Sequence, residues 1–226
     1  LNEIPKQAFE DSKITELIIP ENITGIGEGA YTHSRELLSV VFPSTIEKIM
    51  DWAFMGCTSL KRVNIPNSVE TVETGAFSGC TSLEVVSLSS KLKRIPGLCF
   101  HSAQKLSAIN IPSSVTEIEF SAFKDCLSLR NVNIPSSVIR IADGAFSDCS
   151  QLNITYDGTQ DKWRRLILTG KNIFLHTKYI CNKETAINTF NKVDKFSMLL
   201  SSIENIFGFA VFLRTYLLLL EKQELL

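Results

Sequence analysis

Histidine is scarce in this chain, three in 226 residues, and tryptophan is scarcer at two. The chain contains no G-x-S-x-G, no H-E-x-x-H, no phosphate-binding loop and no dinucleotide fingerprint. The patterns that seat an activated nucleophile, a catalytic zinc or a nucleotide phosphate are therefore missing. Carboxylates such as Glu70, Glu73 and Glu117 are scattered at outward positions, where a solvated surface is the default. No catalytic residue, cofactor or metal site is expected. Charge does not gather either: 23 Lys and Arg face 24 Asp and Glu, the net charge is −1, and no run of five or six like charges occurs. Without a concentrated basic surface, nucleic acid is excluded as a partner. The chain opens on LNEIPKQAF, already inside a repeat and with no leader, so a fragment or a chain whose leader has been removed is expected.

What is abundant is repetition. Phe54, Phe77, Phe100, Phe123 and Phe146 stand 23 residues apart, with Tyr31 in phase before them and Phe9 a further 22 back. A period of this size marks a solenoid or an array, in which each unit buries its apolar face only against its neighbours. Around each aromatic the register is consistent. Ala53, Ala76, Cys99 and Ala122 precede it, and Ser34, Cys57, Cys80, Ala103, Cys126 and Cys149 lie three after it. Leu60, Leu83, Leu106 and Leu129 lie six after it, followed by an apolar pair such as Val63 and Ile65 and then Pro66, Pro112 or Pro135. A second pair follows each proline, as in Val69/Val72 and Val115/Ile118.

In LKRVNIP, Val63 and Ile65 alternate inward while Arg62 and Asn64 point out, the period of a strand with one buried face. Pro66 lacks an amide proton, ends that strand and turns the chain. Val69 to Val72 fits a second short extended segment. The stretch from Thr74 to Cys80, with a Thr cap, small residues and Gly79 near its end, reads as a one-turn helix. Stacked coils then form ladders of Phe on Phe, Leu on Leu and Cys on Cys.

The repeats IPNSVETVETGAFSGCTSLEVVSL and IPSSVTEIEFSAFKDCLSLRNVNIP resemble the BspA-like leucine-rich repeat family. The resemblance covers about residues 1–155. It implies an α/β repeat solenoid, a curved right-handed array of short parallel strands and one-turn helices, and a place on a microbial cell surface or in the secreted fraction. It also implies protein or glycan partners. The sequence departs from the pattern in places: Ser68, Ser114 and Ser137 stand near where many leucine-rich repeats carry an Asn ladder. Ser89 replaces proline in the fourth coil, and Cys99 with Ala103 alters its helix.

After Cys149 the register is expected to fail, with Ile154 and Tyr156 out of step. Residues 156–181 read as a capping segment. Thr159 is placed to cap a short helix that carries Trp163 and Leu166, Trp163 is expected to pack on the last coil, and a strand is expected from Ile173 to Ile180. YDGTQDKW is similar to an element that often follows these arrays in bacterial members. Residues 182–226 read as a helical tail. Its stretch 198–220 is long enough to cross a bilayer but is interrupted by Glu204 and Arg214. A helix packed on the solenoid or a partner, a membrane anchor, and non-native sequence all stand open for it, and membrane contact is confined to 198–220.

Cys57 and Cys149 lie roughly 20 Å apart at about 4.8 Å per coil, which rules out one shared metal ion. Adjacent cysteines satisfy the separation of a disulfide, yet Ser34 and Ala103 at the same point favour a buried free thiol. His33 and His101 fall three coils apart, and each is expected as an exposed turn residue. The sequons at Asn22 and Asn153 matter only in a eukaryotic secretory pathway. The remaining set is the outward side of the strand ladder, expected to be concave: Arg62, Asn64, Glu84, Ser87, Ser107, Asn110, Arg130, Asn131 and Asn133. It predicts a non-enzymatic binding scaffold that meets its partner there. A structural spacer that displays another domain is the alternative. The Asn column is also placed to form side-chain hydrogen bonds along the ladder.

Overall fold

The computed structural model describes residues 2–168 and 178–181. The chain divides into two units, Leu1–Glu184 and Thr185–Leu226. The expected helical tail and its 198–220 stretch lie outside the described residues.

The alternation read from the sequence builds two parallel ladders, stacked coil on coil for about seven turns. One ladder has two-residue rungs: β1 (Glu3–Ile4), β3 (Gly25–Ile26), β5 (Lys48–Ile49), β7 (Thr71–Val72), β9 (Arg94–Ile95), β11 (Glu117–Ile118) and β13 (Arg140–Ile141). The other has longer rungs: β2 (Glu16–Ile18), β4 (Ser39–Val41), β6 (Arg62–Asn64), β8 (Val85–Ser87), β10 (Ala108–Asn110), β12 (Asn131–Ile134), β14 (Asn153–Tyr156) and β15 (Lys178–Cys181). Rungs pair in register at the repeat spacing, as in Val63↔Val86 and Ile109↔Val132. Inside, seven rings from Phe9 to Phe146 stack with centroids 5.2–5.9 Å apart and planes within 13°. That separation exceeds a strand spacing, so the rings are offset as their quadrupoles prefer. Phe54 to Phe123 are fully buried, whereas Phe9 is 47% exposed at the first coil.

The third side of each coil is not the expected one-turn helix. Ala53, Met55 and Cys57 donate back three residues, to the carbonyls of Met50, Trp52 and Phe54. The amides between them, Trp52, Phe54 and Gly56, donate forward to Thr74, Ala76 and Ser78 of the next coil at 2.7–2.9 Å. Two residues per coil consequently adopt positive φ, such as Trp52 (57°) and Gly56 (71°), or Leu98 (57°) and Ser102 (59°). An isolated helical turn would leave its end amides and carbonyls unpaired. A stacked neighbour satisfies them, which offsets the roughly 1–2 kcal/mol cost of a left-handed residue. Gly75 (φ 65°) is required for a second reason, because any Cβ there would meet the Trp52 ring.

The small slot three residues after each ring needs a donor as well as small size. The thiols of Cys57, Cys80, Cys126 and Cys149 donate to the carbonyls of Tyr31, Phe54, Phe100 and Phe123 at 3.1–3.3 Å, and the Ser34 hydroxyl does the same for Phe9. These cysteines are buried and free. At Ala103 the slot has no donor. Donors change place after the strands. Ser114 and Ser137 donate to Leu92 and Val115 of the coil before, the role their place near the absent Asn ladder gives them. In the fourth coil Lys91 occupies that position, and Ser89, in the proline's place, donates to Val69.

These departures cluster at one level. Both ladders run in two blocks, and both breaks fall here, between β7 and β9 and between β8 and β10. The Phe77–Phe100 ring separation, 5.9 Å, is the widest in the stack. The third side stays continuous across it, through Gly75, Phe77 and Gly79 bonded to Gly97, Cys99 and His101.

The register does not fail after Cys149. One residue is missing between Leu152 and Asn153, so β14 pairs with β12 at a 22-residue offset, Val132↔Ile154 and Ile134↔Tyr156. Ile154 and Tyr156 are buried as rung residues. Next comes α1 (Gln160–Leu168), with the Thr159 hydroxyl accepting from the Lys162 amide at 3.4 Å. Trp163 and Leu166 are buried on the last coil, with the Trp163 ring 5.3 Å from that of Tyr156. β15 then extends the ladder beside β14. Residues 173–177 of the strand expected from Ile173 to Ile180 lie outside the described residues.

Candidate functional site

The strand alternation leaves two outward columns on the longer-runged ladder. Ladder register aligns Glu16, Ser39, Arg62 and Val85 in the first column, and Ala108, Asn131 and Asn153 continue it. The second begins with Ile18 and Val41, holds Asn64 and Ser87, and ends with Asn110, Asn133 and Thr155. The residues just before the rungs, Lys61, Glu84, Ser107 and Arg130, flank the first column. Arg62, Asn64, Glu84, Ser87, Ser107, Asn110, Arg130 and Asn131 are exposed, and Asn133 is half-buried. The face brings all nine together on one surface. Behind them every central rung residue from Leu17 to Ile154 is aliphatic.

The two halves of this face differ. Toward the first coils it exposes aliphatic side chains, Ile18 at 74% and Val41 at 55% with Leu38 beside them, among the charges of Glu16, Lys61 and Arg62. Toward the last coils it is rich in amides. Asn153 and Thr155 belong to the surface but not to the set expected from the sequence, because the missing residue after Leu152 disguises their register. Ile18, Ser39 and Lys61 were legible by counting the repeat back from Asn64 and Arg62.

The Asn column does not form a continuous hydrogen-bonded ladder. Asn133 donates to the Asp157 carboxylate and accepts from the Thr155 hydroxyl, both at 2.8 Å, and the Asn153 amide donates to the Arg130 carbonyl at 3.2 Å. The side chains of Asn64, Ser87, Asn110 and Asn131 have no hydrogen-bond partner among the described residues. Adjacent coils at about 4.8 Å and a peptide-linked amide of limited reach allow such bonds but do not compel them against water.

The histidines differ from the exposed turn residues expected. His33 is half-buried and packs over Gly56, whose added Cβ would meet its ring. His101 Nδ1 lies 3.5 Å from the hydroxyls of Ser78 and Ser102, and its Nε2 is 3.3 Å from Asp125. Ser78, His101 and Asp125 thus span three successive coils. The hydroxyl distance is longer than the ~2.6–3.2 Å of an activated nucleophile. Ser78 is buried, and the amides of Ser78 and Gly79 are committed to the carbonyls of Gly75 and His101. The group brackets coils together and offers no amide pair for an oxyanion. His176 lies outside the described residues. Among the described residues no cluster of His, Cys, Asp or Glu could hold a metal ion, and no helix is long and apolar enough to cross a membrane.

A family model for the BspA type leucine-rich repeat region, in six copies, matches residues 2–127 and 93–207. The chain belongs to this family. The second match runs past residue 155. Among solved structures, a leucine rich cell surface protein from Faecalibacterium prausnitzii is similar at 28% identity and a TM-score of 0.58. That match covers 74% of this chain and 54% of the other. A T. pallidum leucine rich repeat protein is similar at 28% identity and a TM-score of 0.53, covering 80% and 75%. A leucine-rich repeat protein from Eubacterium ventriosum, at 24% identity and a TM-score of 0.58, covers 62% and 38% and shares the fold. The BspA-type chain here spans about half the length of the first of these. No curated protein matches it.

Proposed function

We propose that this chain is a non-enzymatic binding scaffold, displayed at a cell surface, that recognises a protein or glycan through the outward face of the longer-runged ladder. The observation that carries this reading is the contrast within each rung. The inward residue is always aliphatic, while the outward ones run through acid, base, amide, hydroxyl and aliphatic side chains. A rigid backbone that presents freely varied side chains on one surface suits recognition. The description of the Faecalibacterium prausnitzii relative as a cell surface protein supports the location.

The test is capture from a solubilised cell-surface fraction by the full chain and by a variant carrying Arg62→Ala, Glu84→Ala and Arg130→Ala. A partner held by the parent and lost by the variant, with an unchanged melting temperature, supports the reading. A partner held equally by both moves recognition off this face, and no partner held by either favours the spacer role.

A further inference from the structure

The amide-rich half of the ladder face has a narrower chemistry than the whole. Between β10 and β14 its outward side carries Ser107, Ala108, Asn110, Asn131, Asn133, Asn153 and Thr155, with Arg130 as the one charge among the rung and flanking positions, the Asp157 carboxylate bonded to Asn133 at the edge, and no aromatic ring. Protein interfaces draw most of their energy from buried aromatic and Arg anchors in pockets. This surface offers no such anchor beyond Arg130, and a polyanion would find no cationic row.

What it does offer is neutral hydrogen-bonding capacity held at fixed spacing. Asn110 and Asn131 are exposed, and their side chains have no partner among the described residues. Each amide presents a donor and an acceptor side by side. That pair matches the hydroxyls on neighbouring carbons of a sugar ring. Asn133 is held by Thr155 and Asp157, and the Asn153 side-chain amide nitrogen by the Arg130 carbonyl. The columns lie about 6.6 Å apart along a strand and about 4.8 Å apart between coils, on the order of one pyranose ring. A linear glycan advances by a similar length per sugar.

We propose that Asn110 and Asn131, with the Asn153 side-chain oxygen beside them, bind an uncharged linear oligosaccharide laid along the solenoid axis, one sugar per coil. This rests on the ladder face being the recognition surface and specifies what one half of it takes. The half around Ile18 and Val41 plays no part in it. Because each amide contact replaces one made with water, affinity accrues over several coils and rises with glycan length.

The experiment is calorimetric titration of the full chain with cellohexaose, maltohexaose, mannohexaose and chitohexaose, with their disaccharides, and with a heparin hexasaccharide. At least one neutral hexasaccharide is expected to bind, about tenfold or more tighter than its disaccharide, and the heparin fragment is not. Asn110→Ala with Asn131→Ala should weaken that binding about tenfold or more, while Ile18→Ser leaves it within about twofold. Binding of no neutral hexasaccharide, binding of the heparin fragment alone, or binding untouched by the two Asn changes would overturn the proposal. A protein partner lost on changing Arg62, Glu84 and Arg130, with no sugar bound, would leave the ladder face as the recognition surface and sink the glycan assignment alone.

Discussion

The Ser89 hydroxyl donates to the Val69 carbonyl at 2.6 Å, and so does for the fourth coil what Ser114 and Ser137 do for theirs from two residues further on. Two departures from the repeat, Pro to Ser at 89 and Ser to Lys at 91, are thereby one exchange. Ser89→Pro alone should leave the Val69 carbonyl without its donor and cost about 1–3 kcal/mol. Adding Lys91→Ser should recover most of that loss, since the exposed Lys91–Glu70 pair it removes contributes little. Equilibrium urea unfolding measures both. A double variant no more stable than Ser89→Pro would show that the two positions are independent.

The ring stack predicts a gradient. Phe100→Ala opens a cavity between two covered neighbours and should cost about 3–5 kcal/mol. Phe9→Ala removes a ring already half in solvent and should cost well under half as much. Equal losses by thermal or urea unfolding would mean that the stack is not the buried spine described.

Alkaline pH should destabilise the fold through its thiols. Burial pushes Cys57 up to about 12 and also raises Cys80 and Cys99 above the ordinary value of 9. Above about pH 9 the unfolded chain loses these protons while the folded chain keeps them, so stability falls as pH rises, until the folded thiols ionise. Tyr31, pushed up to about 12 by burial, adds the same sign above 10. Melting temperature should fall from pH 8 to pH 10, about one unit either side of the ordinary thiol value. Cys57→Ser with Cys80→Ser, which keeps the donor as Ser34 does, should flatten that fall. A slope the double variant leaves unchanged would place the titration elsewhere.

Trp163→Ala should loosen the last coil and little else, because each coil contacts only its neighbours. Hydrogen exchange is expected to speed up across β14 and the turn around Phe146, with β2 to β8 unchanged. Acceleration spread evenly along the chain would mean that the solenoid opens as one unit.

The period and its inward residues were legible in the sequence because both ladders obey one rule, alternation on a stacked coil. The Phe stack, the buried leucines and the packing of Trp163 all follow from it. The turns were not legible. Thr74 to Cys80 has the composition of a helical cap, and only a neighbouring coil's carbonyls decide that alternate amides leave the coil. The fate of β14 was hidden by a single missing residue, which leaves every later position out of phase by simple counting. The surface was legible as positions and not as pairings: nothing in the spacing of Asn110 and Asn133 says that Asn133 turns to Thr155 and Asp157.

On the third side of the coils, the amides that leave one coil all donate toward the next, from Gln7 and Phe9 through to Phe123 and Asp125. Parallel peptide dipoles add, as they do in an α-helix. Here the carbonyl oxygens face the first coil and the amide protons the last, so the negative pole lies at the amino-terminal end of the stack. That polarity is opposite to a helix. Each added coil lengthens the column, and carboxylates near its later end, as at Asp143 and Asp148, sit in a favourable potential that no single repeat creates.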